Sequence, residues 1–126
     1  MSNTGSLARE FDAVREHWSP RVVADLNGQS VKVAKIKDEL VWHAHADEDE
    51  MFLVWKGAVT IRYRDRPDVR LEAGDFHVVP RGVEHNPLAA EECWIILFEP
   101  SETRHTGDTV SDRTRSLADQ RAHLSA

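Results

Sequence analysis

The stretch Trp42-His43-Ala44-His45-Ala46-Asp47-Glu48-Asp49-Glu50-Met51-Phe52-Leu53-Val54-Trp55 decides how the rest of the chain is read. In an extended backbone, side chains two apart share a face, so His43 and His45 project two imidazoles side by side as a chelating pair. A carboxylate follows after a short acidic turn. Phe52 and Val54 share strand parity with Glu50 and are expected to line a pocket behind it. A fourth donor, His85, falls in a loop after the strand candidate Phe76-His77-Val78-Val79. Three imidazoles and one carboxylate suit a first-row divalent ion such as Fe, Mn, Ni, Co, Cu or Zn. They disfavour Mg and Ca, which prefer oxygen shells.

Around this segment the chain reads as short β-type runs. Upstream lie residues 21–26 and 30–36, separated by Asn27-Gly28, a hairpin signal. Residues 41–45, 51–55, 59–64, 69–72, 76–79 and 93–99 supply further strand candidates, broken by Gly57, by Asp65-Arg66-Pro67-Asp68, by Gly74-Asp75 and by Pro80-Arg81-Gly82. Many short strands joined by turns rather than helices predict an all-β sandwich or barrel, with a core over about 21–100. Before it, Leu7, Phe11, Val14 and Trp18 form one apolar stripe, which predicts an amphipathic helix over about 7–18, ended by Ser19-Pro20 and laid on the outside of a sheet. After it, the polar tail 101–126 offers little to a core. It is left to wrap the barrel, cross to a second subunit or end in a frayed helix.

Composition narrows the function classes. At 126 residues, with 40% hydrophobic and 30% charged residues, the chain fits a single domain spanning 1–126, large enough to bury a core without staples. The formal charge of −6, from 16 Lys+Arg against 22 Asp+Glu, gives no basic stripe for nucleic acid. No apolar run approaches a membrane span and no signal peptide is evident, so a cytoplasmic location is expected. The one cysteine, Cys93, cannot form an internal bridge and reads as a small core hydrophobe.

The spacing across the chain is more specific than the histidine pair. From His43 it runs HxH, four residues, Glu50, six residues, Gly57, and later Gly74, five residues, Pro80, one residue, Gly82, two residues, His85. With these two motifs the sequence resembles the cupin superfamily over roughly 31–100. The stretches beginning at Trp42, Gly74 and Phe98 are similar to those of small single-domain bacterial cupins (cupin type 2, conserved barrel) of the kind called mannose-6-phosphate-isomerase-like. The resemblance implies a double-stranded β-helix, or jelly-roll, barrel with His43, His45, Glu50 and His85 as metal ligands. Lys37 and Ala89 depart from the broad motif at positions that are not ligands. Asp49 would satisfy a shorter spacing than Glu50; the six residues to Gly57 and the shared parity with Phe52 and Val54 favour Glu50.

Other residues are weighed against plain packing. His77 reads either as a packed, hydrogen-bonded histidine or as a proton shuttle, and is the one candidate catalytic residue. His17, His105 and His123 lie outside the motifs and are assigned to the surface. Trp42 and Trp55 alternate away from the ligand face and are assigned to packing, including a dimer interface. Trp94, Ile96 and Phe98 share a parity and are core candidates, and Tyr63 is a further phenol to watch. The resulting expectation is a homodimeric, metal-dependent enzyme of oxygenase, isomerase or lyase type acting on a small organic molecule. A thiol dioxygenase is disfavoured, because that group resembles three-histidine sites without the glutamate. The alternative is a non-catalytic cupin that binds a small ligand or a metal.

Overall fold

The computed structural model describes residues 3–125. A short helix, α1 (Leu7–Asp12), precedes strands β1 (Arg21–Leu26), β2 (Gln29–Glu39), β3 (Glu50–Lys56), β4 (Ala58–Tyr63), β5 (Val69–Glu72), β6 (Phe76–Val79) and β7 (His85–Pro100). A helix α2 (Leu117–Arg121) and a 3-10 turn (Ala122–Ser125) follow. All strand pairings are antiparallel, in the order β1-β2-β7-β3-β6, with β4 joining β7 and β5. The chain folds as the all-β jelly-roll barrel the sequence predicts.

Strand β7 is the spine of the barrel. Its first residues pair with β4, Tyr63 opposite His85 and Thr60 opposite Leu88. Its later residues pair with β2 on one side and β3 on the other, Val33 and Leu53 both facing Ile96. A 16-residue strand therefore replaces the predicted loop at His85. The predicted strand 41–45 is not formed: His43 makes an isolated bridge to His85, with reciprocal backbone bonds of 3.0 and 2.9 Å, and the ladder extends no further. Gly57, at φ 88°, turns β3 into β4 where a Cβ would meet the Glu92 carbonyl at 2.8 Å, so the motif glycine is a steric requirement of the β3–β7 packing.

Parity along β7 differs from the sequence expectation. Cys93, Ile95 and Leu97 face the barrel interior with Ala34, Ile36, Phe52, Val54, Val59, Ile61 and Leu71. Trp94 and Ile96 instead face outward and join Phe11, Val14, Val33 and Leu53 under α1. Both parities of residues 93–98 are apolar, so alternation alone cannot choose the inner face; α1 needs an apolar outer face and takes one of them. Cys93 is fully buried and burial pushes its thiol up to about 12, as suits an inert core residue.

The N-terminal stripe is also divided. The helix ends at Asp12 rather than running to 18. Phe11 and Val14 cover the outer sheet face, whereas Trp18 adopts φ 59° and turns into the barrel core. Its backbone N–H donates to Lys35 O at 2.9 Å and its indole Nε1–H to Lys37 O at 2.8 Å. Satisfying these β2 carbonyls takes the chain off the helical path, which ends six residues before Trp18.

Candidate metal centre

His43 and His45 sit on the loop between β2 and β3, Glu50 opens β3, and His85 opens β7. The bridge between His43 and His85 brings the two motifs together. All four side chains are buried. Each histidine offers a ring nitrogen within 4.8 Å of those of the other two. Glu50 Oε1 lies 3.5 Å from His45 Nε2 and 3.8 Å from His85 Nε2. Asp49 is excluded from the cluster: it is exposed and accepts from the Arg81 backbone N–H at 2.8 Å.

Backbone contacts set the tautomers of two rings. His43 Nδ1 donates to Val41 O at 2.8 Å and His85 Nδ1 to Val83 O at 3.0 Å, so each Nε2 presents a lone pair. Those Nε2 atoms, and both ring nitrogens of His45, are buried without a hydrogen-bond partner among the described residues. Buried polar atoms left without partners are costly, and several converging in one place fit a divalent cation.

The electrostatics of the metal-free site follow from burial and neighbours. Burial, with the nearby His85, lowers His43 to about 3. Burial also lowers His45, but the Glu50 carboxylate outweighs it and the net shift is upward. Burial would raise Glu50, yet Glu99, His45 and His85 hold it well below the usual carboxylate range. Glu99, beside Glu50 in the interior, is raised by burial and by the Glu50 charge against the pull of Lys32.

Several participants lie outside the two motifs. Lys32, on β2, is fully buried, with Nζ 3.0 Å from Glu99 Oε1, 2.6 Å from Gln120 Oε1 and 3.3 Å from Thr103 O. The polar tail thus wraps the barrel and anchors on an interior charge. His105, expected at the surface, is 5% exposed and lines an interior cavity with His43 and Glu50. Burial lowers it to about 4. Gly107, at φ 56°, presses on the histidine loop so closely that a Cβ there would overlap the Ala44 carbonyl. His17 and His123 remain peripheral, paired with Glu92 and with Val22 O.

His77 is half-buried and bonded to the Tyr63 hydroxyl at 2.7 Å, and the Tyr63 ring stands 6.4 Å from that of His85. The cavity lined by His43, Glu50 and His105 is otherwise walled by apolar side chains, including Trp18, Phe52 and Leu97, and measures about 20 Å³.

The cupin domain family model matches residues 29–93. An uncharacterized protein of Bacillus subtilis (strain 168), YdbB, is 32% identical over 85 residues, covering 68% of this chain and 75% of its own. A cupin-2 domain containing protein from Shewanella frigidimarina is 45% identical with a TM-score of 0.72, over 75% of this chain and 92% of that one. The chain belongs to the cupin family. Hydroquinone 1,2-dioxygenase PnpCD, solved with Fe3+, shares the fold at 18% identity and a TM-score of 0.67, over 75% of this chain and 31% of that one.

Proposed function

We propose that this cupin is a metal-dependent enzyme acting on a small organic molecule, of oxygenase, isomerase or lyase type. His43, His45, Glu50 and His85 hold one divalent transition ion. The observation that carries the reading is the convergence of three buried imidazoles, with Nε2 of each lacking a hydrogen-bond partner among the described residues. A bound divalent ion would stabilise an oxyanion or a carboxylate and lower the pKa of bound water. The chain's own part is to present Nε2 of His43 and His85 in fixed tautomers and to exclude water with the apolar wall. Half-buried His77, held by Tyr63, is the candidate to carry a proton between that region and solvent.

The small volume of the cavity favours a second reading, a cupin that binds a metal or a very small ligand without turning it over. Metal analysis of protein purified without chelators or a nickel column, followed by oxygen-uptake and substrate screens, separates the two. About one transition ion per chain, lost in the His43→Ala, His85→Ala double variant while the fold persists, supports the metal centre. Equal metal content in parent and variant overturns it. Turnover of any small hydroxy acid, keto compound, phenol or sugar derivative by the loaded parent alone supports the enzyme.

A further inference from the structure

The tail supplies a group that faces the same cavity as two of the four candidate ligands, His43 and Glu50. His43, Glu50 and His105 are the polar lining residues of that cavity besides Trp18, whose indole N–H is already spent on Lys37 O. His105 arrives on the segment between β7 and α2, held from three directions. Lys32 Nζ anchors Thr103 O and Gln120. The Thr106 hydroxyl donates to Thr109 O at 2.7 Å and pairs with Thr114. Gly107 lies flat on Ala44, between the two motif histidines. The backbone N–H of Arg115 donates to His105 Nε2. A nitrogen that accepts cannot carry the ring proton, so the neutral ring carries it on Nδ1.

We infer that His105 is a ligand-contacting residue of this centre, its Nδ1–H donating to a small acceptor atom held between it and the metal ligands. The inference rests on the metal reading above. A cavity of about 20 Å³ is close to the room needed for one water-sized group, so the ligand, or the part of it that enters, has one or two heavy atoms there. It must accept a hydrogen bond, which points to an anion or an oxygen-bearing group and against an ammonium or an alkyl end.

Two amide substitutions separate this role from a purely structural one. The amide of asparagine can occupy the place of Nδ1 and keep a donor over the cavity, but it does not reach Arg115. The amide of glutamine can occupy the place of Nε2 and keep the Arg115 contact, but it withdraws the donor. The probe is azide, titrated by visible absorbance into the cobalt(II)-loaded full chain, with cobalt content measured for each variant. We expect His105→Asn to bind azide within about threefold of the parent and His105→Gln to bind about tenfold more weakly, the loss of one hydrogen bond to a charged ligand. Gly107→Ala, which keeps His105 but lifts its segment, should weaken azide in the same way. The inference is overturned if His105→Gln or Gly107→Ala matches the parent, if the two His105 variants lose affinity equally, or if a cobalt-loaded parent gives no azide response. A parent that takes no cobalt overturns both the metal reading and this one.

Discussion

Lys32 and Glu99 meet diagonally across the β2–β7 pairing inside the barrel, Lys32 lying opposite Leu97 and Glu99 opposite Ser30, with Nζ 3.0 Å from Oε1 and neither side chain reachable by solvent. Behind Glu99 stands Glu50, so one buried cation balances two carboxyl groups, and its charge is matched whichever of them holds the proton. Lys32 also satisfies Thr103 O and Gln120. Lys32→Met would strand a carboxylate and two tail acceptors in the interior, at a cost of about 3–5 kcal/mol. Adding Glu99→Gln puts a neutral amide donor beside the Glu50 carboxylate in place of the carboxyl group that Lys32 held and should recover part of the loss. Urea denaturation of parent, single and double variants checks this; a single variant within about 1 kcal/mol of the parent would show that the pair is not desolvated as described.

The polarity of this interior explains what the sequence could and could not convey. The four ligand candidates were legible because chelation demands particular residue types at particular spacings, and Glu50 could be preferred over Asp49 on the six residues to Gly57 together with the strand parity it shares with Phe52 and Val54. Lys32, Glu99 and His105 could not be read this way. Lys32 and Glu99 are 67 residues apart, and His105 meets Glu50 and His43 across 55 and 62 residues, while Ser30 and Lys32 make the inner face of early β2 look like the outer one. Trp18 and the inner parity of β7 were hidden for the opposite reason: every alternative was apolar. The isolated bridge at His43 shows a third limit, since a strand pattern says nothing about whether a neighbouring strand is in reach.

Gly107 is the point where the tail touches the ligand loop. A methyl group there collides with the Ala44 backbone rather than with a flexible side chain, and its φ of 56° disfavours any residue with a Cβ. Gly107→Ala should therefore cost about 1–3 kcal/mol and loosen the tail before the barrel. Limited trypsin digestion should cut first at Arg104 or Arg113 in the variant while the parent resists. Parent-like protection would mean that the tail does not rest on the loop.

The outer face of β3 and β6 is apolar and open to solvent. Trp55, Phe76 and Val78 are 45%, 68% and 47% exposed. Phe76 pairs with Leu53 and Val78 with Met51, giving one continuous patch along an edge strand. Exposed apolar patches of this kind mark association surfaces, and a second copy of the chain is the expected occupant. Sedimentation should show a dimer at micromolar concentration, and Phe76→Glu should raise its Kd about a hundredfold. A parent that sediments only as monomer removes the expectation.

The histidines give the metal-free protein a pH optimum. In the unfolded chain each titrates near ~6.5. His43 and His105 have folded values lowered to about 3 and about 4. Between pH 6.5 and those values the unfolded state binds more protons than the folded one, so stability falls with acidification, by up to about 1.4 kcal/mol per pH unit for each ring. His45 is raised and acts in the opposite sense: its contribution is full below about pH 6.5 and is lost as pH rises through its folded value. The stability of chelator-treated protein should thus peak near pH 6.5 and decline to either side; on the acid side half-buried His77, also lowered by burial, adds to His43 and His105, and the raised Glu99 opposes them. His105→Asn removes one of those rings and should make the acid slope shallower. Metal needs the neutral rings, so the melting shift it gives should shrink over the same acid interval. A melting series from pH 4.5 to 8, with and without added metal, tests both parts; an acid limb that is flat, or unchanged in His105→Asn, would mean that these rings are not buried and neutral in the folded chain.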